Sequence, residues 1–327
     1  MLPLFAAVVA ASTAVLIFAG GMVTSTGSGL SVPDWPNTYG WFMFSFPLDK
    51  WVGGIFYEHT HRLIASTVGF LILVLAFWLW RAEPRRWVRR LGFLALAAVI
   101  TQGILGGITV LWYLPDAISI AHAGLAEIVF CLTVTIALVT SSGWQQGYAA
   151  QSPDDRTLQR VAIATTGTVY VQILLGATMR HTGAGLAIPD FPLAFGHLIP
   201  PYFDAKIAIH FAHRVGALLV TAMILAAAGH VLYHHRGRAE LRRPSVLLLV
   251  LVALQITLGG LTVLSGRQPL INSLHVITGA SVLVTSLVLT LRAHRARFAD
   301  RGLGVYVPRV PRDSNAMPAR AGARARA

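Results

Sequence analysis

The sequence predicts an all-α integral membrane protein with eight transmembrane helices, arranged as two parallel-repeated four-helix bundles. Three observations predict it. First, only 12% of the 327 residues are charged and 55% are hydrophobic, with a mean hydropathy of +0.64. A soluble domain carries about 25% charged residues. This chain has too little polar surface to coat a globule in water, so its natural solvent is a bilayer. Second, eight apolar stretches reach the roughly 20 residues that a spanning helix needs. Third, the second half of the chain repeats the first, block by block.

The apolar stretches have cores at 4–24, 59–80, 91–110, 119–140, 159–179, 207–233, 245–265 and 272–292. Helix is the expected form, because backbone groups in lipid must pair within their own segment. The ten-residue alternation of a membrane barrel is absent. The first stretch opens on Met1-Leu2-Pro3-Leu4, without a basic n-region, and exceeds a typical h-region, so it reads as a helix and not a signal peptide. The second and sixth open on His61-Arg62 and His213-Arg214. The third and seventh carry Gln102, Gly103, Gly106 and Gly107, and Gln255, Gly259 and Gly260. The fourth and eighth carry His122 and His275 near their starts, and the fourth adds Glu127.

Charge supplies the orientation. The net charge is +13. Residues 292–327 carry nine Arg and two Asp, 81–90 five Arg and one Glu, and 234–244 four Arg and one Glu, which leaves the remainder at −1. Basic charge confined to two loops and a tail is membrane topology, not a nucleic-acid groove. Under the positive-inside rule, Arg81, Arg85, Arg86, Arg89 and Arg90 lie in the cytoplasm, as do Arg236, Arg238, Arg242 and Arg243. Both termini are then cytoplasmic, and the loops after helices one, three, five and seven lie outside. The expected setting is a bacterial cytoplasmic membrane. The tail 293–327 reads as disordered, resting on anionic lipid.

The repeat is specific. Thr26-Gly27-Ser28-Gly29-Leu30-Ser31-Val32-Pro33-Asp34-Trp35-Pro36 returns as Thr182-Gly183-Ala184-Gly185-Leu186-Ala187-Ile188-Pro189-Asp190-Phe191-Pro192. Gln102, Gly106, Gly107 and His122 return at an offset of 153 as Gln255, Gly259, Gly260 and His275. An even helix number per unit makes the two copies parallel.

Chemistry then narrows to histidine. The single cysteine, Cys131, excludes an internal disulfide, a Cys₄ zinc site and a Cys-ligated iron–sulfur cluster, whereas the chain has 12 His. His61, His122, His213 and His275 all lie near the start of helices that run the same way, so the four imidazoles share one depth near the outer face. Two His on facing helices of a bundle can grip a haem iron from opposite sides, which suggests one haem-sized site per half. Zinc or copper also take imidazole, but zinc usually adds a third protein ligand and each half repeats only two His. Arg62 and Arg214 follow the first His of each pair. Each is placed to hold a haem propionate or to snorkel to the interface. The halves differ at one position. Glu58 precedes His61 by three residues, and His210 stands in its place before His213. One acid-bearing site beside one without suggests a reactive site and an electron-transfer site, the alternative being that Glu58 caps its helix. His59, His181, His197 and His210 read as loop or interface residues, and His230, His234, His235 and His294 as surface.

The pattern resembles the haem A synthase family over residues 4–292. The carrying features are Glu58-x-x-His61-Arg62, Gly27-x-Gly29-Leu30 through Pro33-Asp34-Trp35-Pro36, His122-Ala123-Gly124, His213-Arg214 and His275. Some family members carry a cysteine pair in the first outer loop, while residues 25–57 here contain none. The resemblance implies oxidation of haem O to haem A, one ring methyl becoming a formyl group, in support of cytochrome oxidase assembly. It implies catalytic roles for Glu58, His61 and His122, with the substrate haem between the two His in an N-terminal half, 1–144. It implies a haem b cofactor on His213 and His275, with Arg62 and Arg214 binding haem, in a C-terminal half, 145–292. The implied partners are haem O synthase, cytochrome oxidase assembly factors and an electron donor. Two other classes share part of the pattern: a quinone-linked di-haem cytochrome b, and a parallel-repeat transporter.

Overall fold

The structure is a computed structural model that describes residues 1–145 and 155–299. Among these residues, eight helices are long and apolar enough to cross a membrane. They are α1 (Leu2–Ser25), α2 (Gly53–Ala82), α3 (Arg86–Leu111), α4 (Asp116–Thr140), α5 (Arg156–His181), α6 (Ala205–His234), α7 (Ala239–Leu264) and α8 (Pro269–Ala293). Large apolar side chains such as Phe70, Phe77, Val171, Leu218 and Val250 stay exposed along them, which suits helices whose outer faces meet lipid.

Each set of four helices closes a ring. α1 packs on α2, α2 on α3, α3 on α4 and α4 back on α1. α5 through α8 close in the same way. This places α2 opposite α4, and α6 opposite α8. The two rings meet along α1 with α8, α4 with α5, and α4 with α8. One apolar core fills the first ring around Ile72, Leu75, Leu79 and Ile136, and a second fills the other around Ile224, Val231, Leu248 and Leu283. Ile17, Phe130, Ala280 and Val284 form the cluster that joins them.

The helices overrun the sequence-derived cores at most ends. α2 begins at Gly53, so Glu58 lies beyond its first turn. The N-cap is Val52, with no side-chain cap, and the capping alternative for Glu58 does not describe this helix. α7 begins at Ala239 and contains Pro244. A proline there cannot donate to the carbonyl of residue 240. Arg292 of α8 does so instead, its guanidinium donating to the Glu240 oxygen at 2.6 Å. The tail also begins in order. Residues Ala296–Ala299 form a short helical turn, and Phe298 packs against Trp87 and Trp144. The expected disordered tail beyond 299 lies outside the described residues.

The two long loops follow the same path. Gly27 and Gly183 each leave their helix at φ 68, and Gly40 and Gly196 each turn at φ 77, a conformation glycine adopts freely. The Asp34 carboxylate accepts the backbone N–H groups of Tyr39 and Gly40, both at 2.7 Å. Asp190 accepts those of Phe195 and Gly196, both at 2.8 Å. For Asp190 the Gly196 bond is the main cause of a carboxyl held below its ordinary range. For Asp34 partial burial pushes the other way, and the Gly40 and Tyr39 bonds overcome it.

Candidate functional site

Each of the four expected histidines rests on a glycine of the neighbouring helix. A Cβ added to Gly20 of α1 would come 3.1 Å from His61 Cε1, and one added to Gly106 of α3 would come 3.1 Å from His122 Cε1. In the second ring the same relation joins Gly176 to His213 at 2.9 Å and Gly259 to His275 at 3.0 Å. The missing side chains let the imidazoles lie against bare backbone. His61 and His213 are each the ninth residue of their helix, and His122 and His275 the seventh. Each pair therefore projects from opposite helices of one ring at a similar level.

The next glycine along seats a loop. Gly107 faces the Trp35 ring, which an added Cβ would approach to 2.7 Å, and Gly260 faces Phe191 at 2.8 Å. The repeated Pro-Asp-aromatic-Pro segment thus docks into the same helix that backs His122 or His275.

Polar support differs between the rings. In the second, Gln172 of α5 places its amide nitrogen 3.0 Å from His213 Nδ1 and donates to the His213 carbonyl at 2.7 Å. His275 Nδ1 donates to the Gln255 carbonyl at 3.2 Å. In the first, Gln102 donates to the His122 carbonyl at 2.9 Å, but the Nδ1 atoms of both His61 and His122 are buried without a partner. Position 16, which matches Gln172 at the loop offset of 156, is Leu.

The expected arginines hold the loops. Arg62 donates through Nη1 to the carbonyls of Asp34 at 2.7 Å and Asn37 at 2.9 Å. Its Nη2 donates to the Val32 carbonyl at 2.8 Å and to Glu58 Oε1 at 2.7 Å. Arg214 donates to the carbonyls of Leu193, Asp190 and Ile188. Glu58 Oε2 accepts the Val32 N–H at 2.8 Å. In the second half, His210 Nδ1 accepts the N–H of Ile188, the counterpart of Val32, at 3.2 Å. Glu58 and His210 thus anchor the same loop position, one with a charge and one without.

Several residues are placed differently from their sequence reading. His59 and His210 are fully buried, not interface residues. His59 meets Thr38 Oγ1 at 3.0 Å and lies between the Phe46 and Trp51 rings. His294 is buried and bonds the Thr290 carbonyl, while His230 and His235 converge on Asp155. Glu127 is buried in α4, and its Oε2 has no partner. Gly20, Gly176 and Gln172 went unremarked in the sequence. The two glycines were findable, because they repeat at the offset of 156 that relates the loop motifs.

The residues fit a haem in each ring. Two imidazoles from opposite helices are the donor set of a bis-histidine iron. The Nδ1–H of His275 bound to a carbonyl leaves Nε2 with its lone pair for a metal. The orphaned Nδ1 atoms of His61 and His122 mark polar groups that the protein alone does not satisfy.

The chain is similar to known proteins over most of its length. The sequence profile of the COX15-CtaA family, described as cytochrome oxidase assembly protein, matches residues 41–288. The haem A synthase of Geobacillus kaustophilus is 29% identical over 303 residues, covering 90% of this chain and 93% of its own. That of Symbiobacterium thermophilum is 32% identical over 287 residues, covering 84% and 90%. That of Halalkalibacterium halodurans is 27% identical over 292 residues, covering 88% and 94%. With eight apolar helices, four glycine-backed histidines and a family match across most of its length, the chain is an integral membrane protein that belongs to the haem A synthase family of cytochrome oxidase assembly proteins.

Proposed function

We propose that the chain oxidises haem O to haem A for cytochrome oxidase assembly, with substrate and cofactor divided between its halves. Residues 1–144 take the substrate haem between His61 and His122. Residues 145–292 take a haem b between His213 and His275. The observation that carries this division is the unequal support of the imidazoles. A partner at the second ring nitrogen orients a histidine ligand, and a ring N–H donated to a carbonyl also raises its basicity. His275 donates its Nδ1–H to the Gln255 carbonyl and the Gln172 amide braces the Nδ1 edge of His213, as suits a resident group, whereas Nδ1 of His61 and Nδ1 of His122 have no partner, as suits a substrate that must leave. Haem b, when bound, supplies one-electron redox chemistry.

Turning the methyl into a formyl group removes four electrons, two per hydroxylation, which an external oxidant must accept; the resulting gem-diol then loses water to the aldehyde. The chain's own residues serve that sequence in three ways. The loop clasped by Arg62 covers the His61 end of the ring and limits water there. Glu58 sits one helical turn before His61 and carries the charge that His210 does not. Its carboxylate stabilises positive charge developing at the methyl carbon, and Oε1 takes up a proton when Arg62 moves off it. Arg62 and Arg214 bind haem propionates only by exchanging a loop carbonyl for a carboxylate. The two Arg-rich loops face the cytoplasm, which sets the four histidines near the outer face and both termini inside.

A symmetric di-haem electron carrier has no use for an acid on one side alone. The test is co-expression with a haem O source, followed by haem extraction and mass spectrometry. Glu58→Gln keeps an acceptor for the Val32 N–H and removes the charge. We expect it to bind haem normally and to lose haem A formation by at least about tenfold. Normal haem A from this variant and from Glu58→Ala sinks the role of the carboxylate.

A further inference from the structure

A second histidine cluster lies at the far end of α6 from His213. His230 Nε2 is 2.7 Å from Asp155 Oδ2, and His235 Nε2 is 2.8 Å from the same oxygen. The other carboxylate oxygen, Oδ1, accepts the Leu158 N–H at 2.9 Å and caps α5. Asp155 is thereby fixed in place, with Oδ2 turned to the two imidazoles. The three ligand atoms lie within 4.8 Å of one another, and all three residues are half-buried. His234 is exposed, with its ring centroid 4.6 Å from that of His230.

We propose that Asp155, His230 and His235 form a binding site for a divalent ion of the zinc class, with water or His234 as fourth ligand. The donor set selects the ion. Two imidazoles and one carboxylate suit zinc, nickel or copper, while magnesium and calcium prefer all-oxygen sites. Tetrahedral zinc has bonds of about 2.0–2.1 Å, which sets its ligands roughly 3.3 Å apart. The present oxygen–nitrogen distances of 2.7 and 2.8 Å need to open by only about half an ångström, a small side-chain rotation at half-buried positions. The site is also independent of the haem histidines. His230 is 17 residues beyond His213, or about 25 Å along the helix. A bound ion would tie the N-terminus of α5 to the C-terminus of α6 within the second ring.

The experiment uses the haem-loaded protein with an affinity tag free of histidine, so that neither the tag nor the other imidazoles compete. After a chelator wash, Zn²⁺ is titrated by calorimetry and Co²⁺ by its visible d–d bands. The expected result is one equivalent bound at micromolar or tighter affinity, with a tetrahedral Co²⁺ spectrum. His230→Gln combined with His235→Gln should weaken binding by at least about tenfold and leave the haem spectrum unchanged. Asp155→Asn keeps an oxygen for the Leu158 N–H and should also weaken it. The unaltered haem spectrum certifies that each variant is folded. An absence of uptake by the parent protein at tens of micromolar overturns the proposal. So does equal affinity in the double variant, or an octahedral Co²⁺ spectrum in the parent.

Discussion

A histidine that rests on a glycine is only as well placed as that glycine is small. Gly176 is the tightest of the four, and even one added carbon meets His213 Cε1 at 2.9 Å. Overpacking of this kind costs about 1–3 kcal/mol, and here the ring is the part that can move. Gly176→Val is expected to lower haem bound per chain at least about twofold, read by pyridine haemochrome absorption. Gly167→Val on the same helix, where an added Cβ meets nothing within 4 Å, should leave it unchanged. The four histidines were legible in the sequence because their repetition separates them from the eight others. The purpose of Glu58 was half legible. Its lack of a carboxylate counterpart shows in the sequence, but its bond to the Val32 N–H does not, because that depends on how residues 26–52 fold back. Nor does the sequence show that His210 does the same work for Ile188.

At the scale of the element, the long loops are held by carboxylates acting as acceptors for turns. Asp34 titrates below its unfolded value because its bonds to the Gly40 and Tyr39 N–H groups outweigh the opposing effect of burial. A depressed folded pKa contributes stability that is fully present above the unfolded value, near 3.9, and is lost as pH falls through the folded one. The first loop is therefore expected to hold its structure down to ordinary carboxylate pH and to loosen only below it. Trp35 and Trp41 report on it by fluorescence. Asp34→Asn offers one acceptor oxygen in place of two and should loosen the loop at neutral pH, with a smaller further change on acidification. Helix number was readable because a bilayer demands unbroken apolar runs. Helix ends were not. α2 starts six residues before its apolar core, and α7 passes through Pro244 because Arg292 satisfies the stranded Glu240 carbonyl from another helix.

Across the whole molecule, the rings are joined by more than apolar contact. Arg180 of α5 reaches into the first ring and donates to the Gly21 carbonyl at 2.7 Å and to Ser25 Oγ at 2.8 Å. Ser25 in turn meets Ser273 at 3.0 Å and accepts from Asn272 at 3.2 Å, both on α8. A hydrogen bond from a charged donor is worth about 1.5–3 kcal/mol. Arg180→Ala is expected to lower the thermal midpoint in detergent by roughly 3–6 °C without removing haem from either half. Arg180→Lys, which keeps the charge but does not reach as far as the Nη2 that makes both bonds, should fall between. No sequence signal marks this residue, because its counterpart at the loop offset is Thr24 and the seam between the rings is where the repeat has no reason to match.

The glycine seats carry one more consequence. The plane of each imidazole is set by the backbone of a different helix from the one that bears it. Ring orientation is therefore inherited from the crossing of two helices, α1 with α2 in one case and α7 with α8 in another. A bilayer that is too thin or too thick tilts helices against each other before it unfolds them. On the proposed function, a haem held by these imidazoles would feel such a tilt through the rotation of the side chains that hold it. The haem spectrum is then a gauge of membrane fit, and reconstitution into lipids of graded chain length should move it while the protein stays folded.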